Sequence, residues 1–174
     1  ELGFLSRIPL IEIRSIGLNP WGRVLKRIFD IIGSWVLMVV LSPLFLVISL
    51  SILLYDRAPP WYVSRRIWKN GIPFYLLKFR SMRKDADTLK ASLMNRNERR
   101  DGPLFKIEND PRITNLGKFL RKYDLDELPQ IFNVFLGSMS FVWPRPHLKE
   151  EVEQYKEYQR RVLTLKPGIT GMAQ

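Results

Sequence analysis

The chain has 174 residues, with 28 Lys and Arg against 17 Asp and Glu, which gives a formal net charge of +11. It contains no cysteine and only one histidine, His147, so a disulfide framework and a zinc site built from several Cys or His ligands are excluded within this sequence. A metal bound here would have oxygen ligands, which favours magnesium or manganese. The positive charge predicts anionic partners: nucleic acid, phosphorylated small molecules or an anionic membrane surface.

An uncharged apolar segment, residues 31–55, is long enough to cross a bilayer, since about 20 apolar residues suffice. Ser42 and Pro43 lie near its midpoint and predict a break in the helix between Met38 and Ser42. Basic residues flank both ends, so an asymmetry of Lys and Arg does not orient the segment. A kinked span and a re-entrant helix that enters and leaves by one face both remain open.

The residues before the apolar segment predict an anchor at the membrane boundary. Asp30 is spaced one helical turn from Lys26 and Arg27, which predicts an i,i+3 or i,i+4 ion pair that holds the helix entry at headgroup depth. Residues 1–20 are interpreted as a connector, which we expect to join a preceding region.

Two β-prone runs, residues 61–67 and 73–79, flank Asn70-Gly71 and predict a hairpin. Its second strand leads through Lys78 to Arg80. These cations have two open interpretations, a basic edge facing solvent or anionic lipid, and a clamp for a diphosphate.

Helices are predicted over residues 85–100, over residues 114–123, from Leu125 onward and over residues 150–165. The second is basic and amphipathic, and such a helix beside a membrane anchor is typical of the membrane surface. Arg145 stands between two prolines that fix the backbone, which suits a bound anion, although Pro-rich turns also carry arginines with no such role.

The stretch 124–130, Asp-Leu-Asp-Glu-Leu-Pro-Gln, places acids together in a basic chain. Asp124 and Glu127 have the spacing of a capping box. That interpretation explains Asp126 only loosely, through the helix dipole. The alternative is phosphoryl chemistry by Asp126 beside a metal.

Several short motifs occur in order along the chain and together resemble one family, the bacterial sugar transferases, which are monotopic polyprenol-phosphate phosphoglycosyl transferases. The motifs are Lys26-Arg27-Ile28-Phe29-Asp30, Ser42-Pro43, Asn70-Gly71, Lys78-Phe79-Arg80-Ser81-Met82, Asn109-Asp110-Pro111-Arg112-Ile113-Thr114, Leu125-Asp126-Glu127-Leu128-Pro129-Gln130, Pro144-Arg145-Pro146 and Lys166-Pro167-Gly168-Ile169-Thr170-Gly171.

The resemblance implies a mainly α fold with a small β-hairpin. It implies a re-entrant membrane helix over residues 21–57, broken at Ser42-Pro43, amphipathic interfacial helices, and a compact cytosolic or interfacial catalytic domain over residues 58–174. The expected location is the cytosolic face of the bacterial inner membrane, with membrane lipid as a partner and no nucleic acid. A homodimer is compatible with the resemblance.

The resemblance also implies the chemistry of the exopolysaccharide and O-antigen initiators. A sugar-1-phosphate passes from a UDP-sugar to undecaprenyl phosphate, with Mg²⁺ or alternatively Mn²⁺. Asp126 is the expected nucleophile that forms a phosphosugar intermediate, and Asp126 and Glu127 are the expected metal ligands. The residues expected to bind the phosphates are Lys78, Arg80, Arg112 and Arg145.

Four residues depart from the family pattern. The family usually has glycine at Trp68 and Trp143, an acid at Ser138 and glutamine at Ser64. A bulky side chain is unfavourable where a glycine has positive φ or closely approaches a ligand. An alternative function is therefore a catalytically divergent, membrane-tethered binding or scaffold protein. A nucleic-acid binder is disfavoured by the membrane segment and by the lack of a recognition module.

Overall fold

The computed structural model describes residues 3–5, 8–10, 19–67, 71–86, 88–89, 107, 110–153, 155, 163 and 166–170. Its helices are α1 (Pro20–Val40), α2 (Ser42–Ser51), a π-helical turn (Ile52–Asp56), α3 (Asn115–Lys122), a 3-10 turn (Leu125–Glu127), α4 (Gln130–Leu136) and α5 (Lys149–Glu153). Its strands are β1 (Gly3–Leu5), β2 (Ile8–Leu10), β3 (Trp61–Ile67), β4 (Pro73–Phe79), β5 (Ser140–Val142) and β6 (Gly168–Thr170). Helical residues outnumber strand residues, which agrees with the predicted mainly α class.

Helix α1 and the helical segment that follows it are bent by 58° at Leu41. Pro43 lies in the first turn of α2, and its missing N–H leaves the Val39 carbonyl without the bond that a continuous helix would give it. The Ser42 hydroxyl donates to the Val39 carbonyl at 2.8 Å and so satisfies a carbonyl at the break. The predicted break is confirmed. Among the described residues no single helix is long and apolar enough to cross a membrane, but the bent pair meets that test jointly by length and composition.

The predicted hairpin is confirmed. Strands β3 and β4 pair antiparallel from Trp61 opposite Phe79 to Ile67 opposite Pro73. Gly71 has φ +79, the left-handed conformation that glycine adopts without strain, while residues 68–70 lie outside the described part of the chain. The hairpin packs against α4, where Asn133 accepts a hydrogen bond from the Leu77 amide at 2.9 Å and donates to the Tyr75 carbonyl at 2.7 Å.

Two clusters of buried apolar residues hold these elements together. The first joins α2 and the π-helical turn to β4 and α3 through Phe45, Ile48, Ile52, Phe79 and Leu120. The second lies between the hairpin and the end of α4 and contains Phe74, Leu76, Val134 and Met139. One side of α2 is therefore covered by the rest of the chain, while its other side remains exposed.

The boundary residues of α1 do more than the sequence predicted. Lys26 and Asp30 form the expected ion pair, with 3.4 Å between Nζ and Oδ1. Asp30 is buried, however, and accepts a hydrogen bond from the Ser140 hydroxyl at 2.7 Å. The Arg27 guanidinium instead donates to the Val134 and Phe135 carbonyls at 2.7 and 2.8 Å. These residues attach α1 to α4 and β5.

Two strand pairs were not predicted. Strands β1 and β2 pair antiparallel inside the segment interpreted as a connector. Strands β5 and β6 pair in parallel, Ser140 opposite Gly168 and Val142 opposite Thr170. The start of the predicted helix 150–165 is described and forms α5. Most of the predicted helix 85–100 lies outside the described residues.

Candidate active site

The stretch that contains Asp126 does not form a capping box, which corrects that prediction. Asp124 has φ +53 and makes no side-chain cap, because an N-cap residue needs an extended backbone to reach the first turn. The helix predicted from Leu125 is divided into the 3-10 turn and α4, and Pro129 lies between them. The positive φ of Asp124 and the 3-10 turn that follows it together set the directions in which the side chains of Asp126 and Glu127 point.

Asp126 and Glu127 line different cavities. Asp126 lines a cavity of about 260 Å³, here called the Asp126 cavity. Glu127 lines a second cavity of about 90 Å³, here called the Glu127 cavity. Neighbouring residues in a 3-10 turn point about 120° apart, which accounts for the separation. Lys78 and Arg66 line both cavities and therefore stand between the two carboxylates.

The Asp126 cavity is strongly basic. Its charged wall residues besides the aspartate are Arg66, Lys78, Arg80, Arg83, Lys84 and Arg121. The cations of this cavity would be well placed to bind a substrate with two phosphates, because charge-assisted bonds to phosphate oxygens are strong.

Asp126 is almost fully buried, with 6% of its surface exposed. Burial raises the pKa of its carboxyl, the charge of Lys78 lowers it and the charge of Glu127 raises it again, so the pKa stands above its ordinary value. No hydrogen bond from another described residue reaches this carboxylate. Its oxygens are therefore available to react with a molecule in the cavity.

Glu127 has the opposite character. Burial alone would raise its pKa, but the charge and hydrogen bond of Lys78 and a hydrogen bond from Gln130 hold the pKa below its ordinary value. Lys78 forms an ion pair with Oε1, and Gln130 Nε2 donates to Oε2 at 2.8 Å. Glu127 is thus a fixed, ionised carboxylate, whereas Asp126 is an unpaired one.

The structure brings three of the four predicted phosphate-binding cations to these cavities. Lys78 and Arg80 line the Asp126 cavity, and Arg145 lines the Glu127 cavity. Arg80 is positioned by a 2.9 Å bond from its Nε to the Pro59 carbonyl.

Arg112 lines neither cavity, so its predicted role in phosphate binding does not fit the geometry. Its guanidinium is buried against Asp110, with 2.6 Å between Nη2 and Oδ2. Hydrogen bonds from Arg112 hold the pKa of Asp110 below its ordinary value. The Arg112 carbonyl accepts from the Arg83 amide at 2.9 Å, so this pair supports the wall of the Asp126 cavity from behind.

Sequence reasoning did not assign several wall residues to the site. Tyr62, Ser64 and Arg66 all line the Asp126 cavity, and alternate residues of a strand share one face. The alternation along β3 could have identified these three residues from the sequence, because Tyr62 lies directly opposite Lys78 in the hairpin. Arg121 is brought in by α3 and donates to the Ser81 hydroxyl at 2.8 Å, and no local pattern distinguished it from other surface cations.

Asp126 suits one mode of magnesium binding. The described residues contain no group of three or more His, Cys, Asp or Glu that could hold a metal ion without other ligands. Magnesium is often held by one or two carboxylates together with substrate phosphates and water. Asp126, with substrate phosphates in the basic cavity beside it, fits that mode, whereas Glu127 lines the other cavity and its oxygens already bind Lys78 and Gln130.

The described residues that depart from the family pattern do not block either cavity. Trp143 has no positive φ, and it lines neither cavity. Ser138 exchanges hydrogen bonds with Asn133 at the end of α4. Ser64 lines the Asp126 cavity and leaves space where a longer side chain would extend. Trp68 lies outside the described residues.

Comparisons with known proteins agree with this geometry. A family model described as "Bacterial sugar transferase" matches residues 21–174. The chain is 42% identical over 153 residues to galactosyl transferase CpsE of Streptococcus agalactiae, covering 87% of this chain and 33% of that protein. It is 39% identical over 180 residues to an undecaprenyl-phosphate galactose phosphotransferase of Salmonella typhimurium, covering 98% and 36%.

A shorter relative is matched over most of its length. Exopolysaccharide production protein ExoY of Rhizobium meliloti is 38% identical over 160 residues, covering 90% of this chain and 71% of that protein. The chain spans about a third of the length of the two longer relatives. The family match includes α1, the hairpin and both cavities. The chain belongs to the bacterial sugar transferase family.

Proposed function

We propose that this chain transfers a sugar-1-phosphate from a UDP-sugar to undecaprenyl phosphate, giving undecaprenyl-diphosphate-sugar and UMP. The reaction would begin the synthesis of an exopolysaccharide, capsule or O-antigen. The observation that carries the proposal is a buried, unpaired Asp126 at the wall of a strongly basic cavity. The Salmonella relative is an undecaprenyl-phosphate galactose phosphotransferase, and its name supports undecaprenyl phosphate as the acceptor.

The transfer has two displacements at phosphorus. A carboxylate oxygen of Asp126 attacks the phosphorus that bears the sugar, and the bond from that phosphorus to the bridging oxygen breaks, which releases UMP. An oxygen of undecaprenyl phosphate then attacks the same phosphorus, and the bond to Asp126 breaks and restores the carboxylate. Splitting one displacement into two through a covalent intermediate is an established catalytic strategy.

The cations make these displacements feasible. An anionic nucleophile is repelled by a diphosphate unless positive groups neutralise it, and Lys78, Arg80 and Arg121 line the cavity beside Asp126. Magnesium, when bound through Asp126 and the phosphates, would supply further charge neutralisation. Lys78 keeps Glu127 ionised and in place.

The bent helix pair supports a re-entrant anchor at the cytosolic face of the bacterial inner membrane. The outer face of α1 and α2 exposes large apolar side chains along its length, among them Trp21, Phe29, Trp35, Val40 and Leu46. Water does not favour such a continuous apolar surface, whereas lipid does. Basic residues at both ends of the pair suit two ends on the cytosolic side.

The test of the chemistry is Asp126→Asn. The amide cannot form the phosphosugar ester, so we expect UMP release from a UDP-sugar in the presence of undecaprenyl phosphate to fall by at least about a thousandfold, a loss of about 4 kcal/mol in transition-state stabilisation. The control is Asp124→Asn, which changes an exposed acid two residues away and should leave the rate unchanged.

Two outcomes would contradict the proposal. A normal rate in the Asp126→Asn variant would remove Asp126 from the role of nucleophile. Binding of UDP-sugar without any UMP release by the unaltered chain, across a panel of sugars, would favour the tethered binding or scaffold protein instead.

The test of the anchor uses the lack of native cysteine. Single cysteines at Asn19 and at the exposed Tyr55 report the two ends of the bent pair. A re-entrant anchor predicts that a membrane-impermeant maleimide labels both from the same side of sealed vesicles. Labelling from opposite sides would establish a spanning helix.

A further inference from the structure

We propose that a third cavity, at the end of the π-helical turn that follows α2, is the docking site for the phosphate of the polyprenyl acceptor before transfer. This inference rests on the proposed function and adds to it the place where the lipid substrate binds. The cavity has a volume of about 610 Å³ and is here called the Arg57 cavity. Its charged wall residues are Arg57, Arg83 and Lys84, together with Asp56 and Asp85. Tyr55 and Thr114 also line it.

The Arg57 cavity begins where the apolar surface of the bent helix pair ends. The π-helical turn that leads into it exposes Leu54 by 71% and Tyr55 by 82%. Arg57 follows within two residues. A lipid whose chain lies along the exposed side of α2 would therefore present its headgroup at this cavity, because the apolar and cationic surfaces are adjacent there.

The charges of the Arg57 cavity suit a phosphate. Asp56 accepts a hydrogen bond from the Thr114 hydroxyl at 3.0 Å, and Asp85 lies 3.6 Å from Arg83 Nε, so both acids have partners. Within the described ranges neither Arg57 nor Lys84 has a carboxylate partner. Their N–H groups are available for charge-assisted bonds to phosphate oxygens.

The backbone at Arg57 gives a separate reason to assign it a function. Arg57 has φ +48 and lies at the end of the π-helical turn, a position where glycine fits without strain. π-Helical turns are themselves frequent at functional sites. The chain retains a long cationic side chain at a position where its backbone favours glycine, which indicates that the side chain itself is needed.

The Arg57 cavity also adjoins the Asp126 cavity, because Arg83 and Lys84 line both. A phosphate that docks at Arg57 would therefore lie beside two cations that also face the cavity of the reacting aspartate. The chemistry also requires this arrangement, because the acceptor phosphate must reach the phosphosugar on Asp126 from the lipid side.

The experiment separates the two half-reactions in nanodiscs of neutral phosphatidylcholine. For Arg57→Gln we expect the KM for undecaprenyl phosphate to rise about tenfold, which corresponds to one lost charge-assisted bond. The burst of UMP formed from UDP-sugar without acceptor should persist. The matched control is Arg65→Gln, an exposed arginine on β3 that lines none of the three cavities.

Arg57→Gly is the second variant, and it distinguishes weaker binding of the acceptor from a loss of folding. Glycine relieves the positive φ, so we expect the Tm to rise while the KM for undecaprenyl phosphate rises as in Arg57→Gln. Higher stability together with weaker acceptor binding is a combination that a merely structural role of Arg57 would not produce. An unchanged KM for the acceptor in both variants would overturn the proposal.

Retention of the lipid provides a readout without turnover. On the Asp126→Asn background, nanodisc-embedded protein should retain less undecaprenyl phosphate when Arg57 is also replaced by Gln. An equal loss of binding to phosphatidylglycerol vesicles would instead assign the cavity to bulk anionic lipid and overturn the acceptor assignment. Failure of the unaltered chain to give any UMP burst would refute the proposed function, whereas a normal burst with unaltered acceptor dependence would refute this inference alone.

Discussion

Lys78 is the residue on which both carboxylates depend. It pairs with Glu127, lines the cavity of Asp126 and lowers the pKa of both acids. One ammonium group thus keeps Glu127 ionised and partly offsets the burial of the nucleophile.

We predict that Lys78→Gln moves the acid limb of the pH–rate profile to higher pH. Loss of the ammonium charge raises the pKa of Asp126 and Glu127, and because the nucleophile must be ionised, the rate is lost at a higher pH as the solution is acidified. The measurement is kcat/KM for the UDP-sugar as a function of pH. Lys78→Arg retains the charge and should restore the profile, and an acid limb that stays in place in Lys78→Gln would disprove the coupling.

Residue roles could be predicted only in part from the sequence. Asp126 stood out because a capping box left it unexplained, and it does lie at the wall of a basic cavity. Arg112 could not be separated from the cations that line the two cavities, because its burial against Asp110 depends on how residues 110–113 pack against residues 83–86. The structure was needed to sort these cations.

Among the elements, α3 packs closely against the chain after β4. A Cβ added to Gly117 would lie 1.9 Å from the Ser81 carbonyl oxygen. The same helix presents Arg121, whose Nε donates to the Ser81 hydroxyl. The close approach at Gly117 therefore sets the position of a cation in the Asp126 cavity.

We predict that Gly117→Ala destabilises the protein by about 1–3 kcal/mol, the usual size of an overpacking effect. The added methyl group must push α3 away from backbone atoms that cannot rotate aside. Thermal unfolding measures the change. Lys118→Ala alters an exposed residue of the same helix and should change stability by less than about 0.5 kcal/mol. Equal stabilities of the two variants would contradict the close packing.

The elements that the sequence predicted are those with local signals. Helix α3 begins after Thr114, whose hydroxyl accepts from the Gly117 amide at 2.9 Å, and the hairpin follows the alternation on either side of Gly71. The parallel pairing of β5 with β6 joins three-residue segments far apart in the chain, so no local pattern specified it. The reversal at Asp124 was missed because non-glycine residues seldom adopt positive φ.

At the scale of the molecule, α1 is joined to α4 and β5 by polar contacts. Arg27 binds two carbonyls at the end of α4, and Asp30 binds Ser140 at the start of β5. Gly137, which ends α4 with φ +90, leaves space for the Arg27 guanidinium 3.0 Å from where a Cβ would stand. Helix α1 thus fixes the helix that follows Asp126.

We predict that Arg27→Gln loosens this junction at a cost of about 1.5–3 kcal/mol, because hydrogen bonds from a charged donor are the stronger kind. The measurement is faster hydrogen exchange of amides in α4, together with a lower Tm. Arg23→Gln, which replaces an exposed cation one turn earlier in α1, should change neither. Unaltered exchange in Arg27→Gln would show that the Arg27 hydrogen bonds do not hold α4 against α1.

The bend at Leu41 also limits how deep the molecule reaches. From Asp30 to Leu41 an α-helix rises about 16 Å, roughly half of the hydrocarbon thickness of a bilayer of about 30 Å. In the proposed re-entrant arrangement the protein therefore displaces lipid from a single leaflet. Donor, acceptor and product then all remain on one side, so the transfer alone carries no sugar across the membrane. A separate translocation step must move the glycolipid before any polymer can be exported.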